Sequence, residues 1–280
     1  MGWAAQTYGL QTALIGKVGA DSFGDMIIRR FARLGVSTCG IEQDSSVFTT
    51  LAFVTLDREG ERSFSFARKP GADSCLRWEE CHTSLIDRAK VFHFGSLSMS
   101  AEPSRTATLS AVKRAREKGK LITFDPNYRP ALWSGEEEAR AAMLWGLEQA
   151  DVVKISDDEV RFLFGCDAEE GAVLLRDRFN VGLVFVTCGA AGAYFLSGDR
   201  SGFVPAPTVC PVDTTGAGDI FFGAAVSRLL REDVLPERLS EDSLRRITAF
   251  ACAAASLSTE RKGGVASIPS EDEVLSRLTD

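Results

Sequence analysis

Asp213-Thr214-Thr215-Gly216-Ala217-Gly218-Asp219 is followed at once by Ile220-Phe221-Phe222-Gly223-Ala224-Ala225. This stretch decides how the chain is read. A loop of small residues opens an apolar helix, and a carboxylate sits at the junction. Gly216, Ala217 and Gly218 carry little or no side chain, so an anion can come close to backbone N–H groups. The first helical turn adds unpaired donors and the positive end of the helix dipole. Asp219 stands where it can take a proton from an attacking hydroxyl while a transferring phosphoryl group rests on those amides. A plain helix N-cap with a glycine turn explains a lone Gly-x-Gly-Asp as well. It explains less of the second carboxylate, Asp213, and of the two threonines beside it.

On either side of this stretch the chain alternates between strand and helix patterns. Residues 12–18 read as a buried strand, and residues 22–34 as a helix with Phe23, Ile27, Phe31 and Leu34 at helical spacing, closed by Gly35. Strand-like segments at 49–56 and 62–66 flank Asp57-Arg58-Glu59-Gly60, a predicted hairpin turn. After Pro70-Gly71, strands are predicted at 91–94, 121–124, 152–155 and 183–187, with helices at 103–118, 136–149, 157–164 and 168–178 between them. A hairpin at 194–196 and 202–204 follows, then helices at 217–231, 240–258 and 270–278. Such alternation predicts an α/β fold, a mainly parallel sheet with helices on both faces. The 49–68 hairpin breaks the alternation and reads as a small lid. Ligands of these sheets collect at the carboxyl ends of the strands. Polar loops fall there four times: Asp125 to Arg129, Ser156 to Glu159, Cys188 to Gly192, and Asp213 to Asp219.

Bulk properties narrow the function classes. The 280 residues are 45% hydrophobic and 25% charged, ordinary for a globular chain. A net charge of −7 argues against a nucleic-acid surface. No apolar run approaches the ~20 residues that span a bilayer, and no basic segment followed by an apolar run opens the chain, so neither a membrane partner nor secretion is expected. Seven cysteines with no Cys-x-x-Cys pair, and only His82 and His93 as imidazoles, argue against structural zinc and for reduced thiols in the cytoplasm.

The chain resembles the ribokinase-like (PfkB) carbohydrate kinases, and within them the fructokinases. Residues 213–219 match that family's C-terminal signature in full. Supporting stretches are Ile15 to Gly24, Arg68 to Asp73, Phe92 to Ser98, and 125–133 ending in Leu132-Trp133. The resemblance implies a three-layer α/β sandwich, one kinase domain over 1–280 with lid strands at about 49–68 inserted. It implies ATP, Mg²⁺ and K⁺ as cofactors, a small sugar as substrate, Asp219 as general base, and Gly216, Ala217 and Gly218 as the anion hole. Arg68 and Arg129 would reach the sugar or the transferring phosphate; Arg129 as a structural ion pair and Arg68 as a surface arginine are the alternatives. Lys154, Thr187, Gly189, Gly192 and Cys252 would border the nucleotide, although turns, close helix packing and a solvated lysine use the same residues. Ser156 and Glu159 occupy the place of an Asn-x-x-Glu motif that organises Mg²⁺, with serine replacing asparagine. A monovalent cation would sit among Asp213, Thr215, Ser258, Arg261, Gly263 and Ser267. Pairing of lid strands across a homodimer is left open.

One departure stands out. Family members begin with a central strand carrying a sugar-binding Asp and then a Gly-Gly-x-x-x-Asn loop, whereas Met1 to Ala5 read as the helix after that loop. Strands lie ~4.8 Å apart, so a missing central strand leaves a slot. The expectation is an N-terminally incomplete ATP-dependent sugar kinase, acting on fructose at O6. The alternatives are a 2-keto-3-deoxygluconate kinase and a non-catalytic ATP-binding remnant of the fold. A nicotinamide dehydrogenase is disfavoured because Gly16-Lys17-Val18-Gly19 has the wrong glycine spacing.

Overall fold

A computed structural model describes residues 1–56 and 62–279. In chain order the elements are α1 (Gly2–Thr7), β1 (Ala13–Gly19), α2 (Ser22–Arg33), β2 (Ser37–Asp44), β3 (Leu51–Leu56), β4 (Arg62–Ala67), α3 (Thr83–Arg88) and β5 (Val91–Gly95). There follow α4 (Ser104–Glu117), β6 (Leu121–Asp125), α5 (Glu136–Gln149), β7 (Val152–Ser156), α6 (Asp157–Phe164), α7 (Ala168–Phe179) and β8 (Leu183–Thr187). The chain ends with β9 (Gly192–Ser197), β10 (Arg200–Pro205), α8 (Ala217–Leu229), α9 (Glu241–Thr259) and α10 (Glu271–Thr279). The turn expected at 57–60 lies outside the described residues. No helix among the described residues is long and apolar enough to cross a membrane.

The chain divides into two compact units. The first holds 1–12, 34–36 and 151–280; the second holds 13–33 and 37–150. In the first unit the strands lie in the order β10-β9-β8-β7. β7 and β8 are parallel, with Val152 opposite Leu183 and Ser156 opposite Thr187. β9 runs back antiparallel on β8, and β10 on β9. Four of the five residues of β7, and four of the five of β8, are buried. That double-sided burial is why both read as continuous apolar runs rather than as alternating ones. α7 packs on β8 and β9, and α9 on β9 and β10. α8 is apolar almost all round and lies against α9 and α1.

In the second unit β5 and β6 are parallel neighbours, with Val91 opposite Leu121 and Gly95 opposite Asp125. β1 and β2 form a parallel pair joined through α2. β3 and β4 form an antiparallel pair by themselves. β2 and α3 had no clear sequence signature. The sequence of β2, Ser-Thr-Cys-Gly-Ile-Glu-Gln-Asp, is polar and only one of its residues is buried, so its ladder with β1, not an apolar pattern, makes it a strand.

An aromatic cluster forms the centre of this unit. The Phe94 ring lies 4.7 Å from that of Phe124 and 6.0 Å from that of Trp145. α5 approaches it through Gly146, where an added Cβ would overlap the Phe124 ring. Gly146→Ala is therefore expected to lower stability by about 1–3 kcal/mol, the usual range for overpacking. Urea denaturation checks this, and an unchanged midpoint would mean that the Phe124 ring tilts away at no cost.

Candidate active site

The first unit gathers most of the candidate residues around the start of α8. Gly216 is its N-cap at φ +83°, the left-handed region that glycine enters without steric cost. Close approach adds a second demand, because a Cβ on Gly216 would lie 3.2 Å from the Gly264 Cα. The helix then closes with Ile220 N–H donating to the Gly216 carbonyl at 2.9 Å. The first turn, Ala217-Gly218-Asp219, thus lies at the positive end of a thirteen-residue helix, with Ala217 N–H turned back to the Thr214 carbonyl at 3.3 Å.

Asp219 occupies this first turn with its side chain about half exposed. Its Oδ1 accepts from the Met1 ammonium at 2.8 Å. The contact follows from packing one turn further along, where α1 crosses α8 with Ala4 against Gly223, a position at which a Cβ would clash.

Lys154 comes to the same place from β7. The residue is only 6% exposed, and its Nζ lies 3.0 Å from where a Cβ on Gly218 would stand. The absence of a side chain at Gly218 is what lets the ammonium reach the helix start.

The loop before α8 is tied to the segment after α9 by Asp213. Its Oδ1 accepts from Thr215 N–H and its Oδ2 from Gly263 N–H, each at 2.9 Å. The backbone N–H groups of Val212 and Asp213 both donate to the Thr259 carbonyl. Ser258 lies in the last turn of α9, and Gly263 and Ser267 in the segment after it, with Ser267 N–H donating to the Gly263 carbonyl at 3.0 Å. Its oxygen-rich chemistry fits a hard monovalent cation held by carbonyls. The Arg261 side chain is directed elsewhere, to the Glu273 carboxylate.

Glu273 also accepts from Ser270 N–H and Oγ–H. The Arg261 hydrogen bond first, and those from Ser270 next, hold its carboxyl down at about 2, against 4.5 for an unperturbed group. A depressed carboxyl contributes stability that is complete above its unfolded value and is lost as the pH falls through the folded one. Wild type should therefore exceed Glu273→Gln in Tm at neutral pH, with the gap closing between about pH 4.5 and 2. Thermal melts over that range check this. The gap should be small, because the side chain is 44% exposed and solvent screens it.

Ser156 and Glu159 form a reciprocal capping box at the start of α6. Glu159 N–H donates to Ser156 Oγ at 3.2 Å, and Ser156 N–H donates to Glu159 Oε2 at 2.9 Å. The serine standing where an asparagine was expected thus has a structural role of its own, and Glu159 is buried beside it. The Ser-x-x-Glu spacing is a signal of this cap that the sequence itself carries.

Thr187 ends β8, and its hydroxyl donates to the Ile155 carbonyl at 3.4 Å. The Cys188 N–H then bonds back to the Gly192 carbonyl at 2.8 Å, closing a tight loop around Gly189. Gly192 is pressed against the Val204 carbonyl. Cys252 on α9 points at that same carbonyl from 3.9 Å, and burial pushes its thiol up to about 12. Cys252 is therefore a neutral, packed side chain beside the 188–192 loop.

Arg68 and Arg129 belong to the second unit. Arg68 Nε donates to Asp73 Oδ2 at 2.8 Å, and its other nitrogens donate to Ser100 Oγ at 2.7 Å and the Leu97 carbonyl at 3.4 Å. Arg129 is exposed and donates to the Tyr128 carbonyl at 2.9 Å. Sequence reasoning missed Asp73 as the partner of Arg68.

Comparison with known proteins places the chain in a family. The pfkB family carbohydrate kinase pattern matches residues 3–271. Fructokinase-1 of Zea mays is 43% identical over 274 residues, covering 97% of this chain and 84% of that protein. The fructokinase of Xylella fastidiosa with bound ATP superposes with a TM-score of 0.91 at 32% identity, covering 99% of this chain and 88% of that one. A double mutant of Vibrio cholerae O395 fructokinase, solved with fructose, ADP and a potassium ion, gives a TM-score of 0.89 at 30% identity over 99% of this chain and 88% of that one. The fold is the ribokinase-like α/β fold, and the chain belongs to the pfkB family of carbohydrate kinases.

Proposed function

We propose that this kinase transfers the γ-phosphoryl group of ATP to a primary hydroxyl of fructose, giving fructose 6-phosphate. The observation that carries this reading is the start of α8, where a glycine N-cap, the amides of Ala217 and Gly218, the Asp219 carboxylate and the Lys154 ammonium converge. Asp219 takes the proton of the attacking hydroxyl. The amides and Lys154 accept the negative charge on the phosphoryl oxygens, which is where most catalysis of phosphoryl transfer arises. Glu159 and the Ser156 cap stand at the end of β7, where they would orient Mg²⁺ and its water shell. Carbonyls of the 213–215 and 258–267 segments would hold K⁺, whose charge would order the loop before α8. The 188–192 loop and Cys252 would border the adenine. The seven cysteines are all unpaired, which fits a reducing, cytoplasmic setting.

A coupled ADP-release assay with ATP, Mg²⁺ and K⁺ tests the proposal across fructose, 2-keto-3-deoxygluconate, ribose and no sugar. Release that depends on fructose is expected. Release that depends on the acid sugar alone would move the substrate to that class. Release with no sugar at all would overturn the sugar-kinase reading.

A further inference from the structure

The β3–β4 hairpin forms a two-stranded sheet of its own, and a lone hairpin is marginally stable in water. Its orientation must therefore be fixed by its two feet and by what it touches. Both feet converge on one carboxylate. Thr50, just before β3, donates its hydroxyl to Asp73 Oδ1, and Arg68, just after β4, donates Nε to Asp73 Oδ2. The backbone repeats the link, with Ala72 N–H donating to the Phe48 carbonyl at 2.9 Å.

Glycine at position 71 makes the convergence possible. A Cβ there would overlap Thr50 Oγ1 and lie 2.9 Å from both Arg68 Cγ and Asp73 Oδ1. The approach to β3 is secured once more by Asp21, which accepts from Thr49 N–H at 2.8 Å and from its hydroxyl at 3.0 Å. Arg68 carries the constraint onward to Ser100 and Leu97, in the turn that follows β5. β4 itself packs against the turn Pro130–Leu132, next to Arg129.

We infer that Asp73 is a positioning residue that clamps both feet of the β3–β4 hairpin and sets it against the Arg129 turn. Its consequence for sugar binding rests on the function proposed above; the clamp itself does not. The Arg68 side chain is 8% exposed and that of Asp73 44%. Asp73 is the open member of the pair, and Arg68 keeps Ser100 and Leu97 as partners without it, so its loss should be felt locally.

Amide hydrogen exchange on the full chain tests this with Asp73→Asn and Thr50→Val, and with Thr50→Ser as the variant that keeps the hydroxyl. Exchange within 51–56 and 62–67 should rise about fivefold or more in the first two variants, as loss of a hydrogen bond to a charged group implies. It should stay at the wild-type level in Thr50→Ser, and exchange in α4 and α8 should not change. Unchanged exchange in the hairpin, or a rise spread evenly over the chain, overturns the clamp. In parallel, Asp73→Asn should raise the fructose KM about tenfold while the ATP KM stays within about twofold, the pattern of a misplaced binding element. An unchanged fructose KM with loosened feet would cut the link to the sugar. Wild type that turns over no fructose would count against the proposed function, while the exchange comparison still decides the clamp.

Discussion

Asp219→Asn is expected to lower fructose-dependent turnover by about 10²–10⁴-fold, the contribution typical of a positioned general base. Affinity for a non-hydrolysable ATP analogue should stay within about twofold, because backbone amides at the helix start, not this carboxylate, hold the phosphates. The substitution preserves side-chain size; it removes the charge, the ability to take a proton and the ion pair with the Met1 ammonium. The loss should therefore fall on kcat and kcat/KM together, as for an interaction made only in the transition state. A variant that turns over at the wild-type rate would remove Asp219 from the mechanism. One that also loses the analogue would show instead that the first turn of α8 had been disturbed.

What could be read from the sequence, and what could not, follows the range of the forces involved. The helix start at 213–219 was legible because it is built from consecutive residues, and its glycines beside a carboxylate record it directly. β7 and β8 were legible because burial on both faces makes them uniformly apolar. β2 was not, because it is polar and mostly uncovered, and it becomes a strand only by pairing with β1. The hairpin read at 194–196 and 202–204 is longer on both sides, because Gly192 and Pro205 also join the ladder. Among site residues, Arg68 is expected at the sugar or the transferring phosphate, while its partners Asp73, Ser100 and Leu97 are set by tertiary structure. The ion pair of Arg261 with Glu273 is likewise set by tertiary structure. The replacement of asparagine by Ser156 first reads as a weakness of the site. In the structure it is the cap that starts α6 and holds Glu159 in place.

Lys154→Met is expected to lower turnover by about 10²–10³-fold, comparable to removing one donor from an oxyanion hole. A helix start carries partial positive charge, and cations beside it are disfavoured. β7 brings a buried lysine to the first turn of α8, next to Gly218. A phosphoryl group bound there would be attracted by the helix start and the ammonium together, and the attraction grows as negative charge develops on the transferring oxygens. Lys154→Met should thus weaken binding of an ATP analogue by about tenfold or more relative to ADP. Gly218→Ala gives an independent check. The added methyl would lie 3.0 Å from Nζ, and the flexible end of the lysine would move aside. That displacement should reduce kcat while the melting temperature stays near wild type. If Lys154→Met melts earlier but keeps its kcat and its ratio of ATP-analogue to ADP affinity, the lysine supports the fold and takes no part in the transfer.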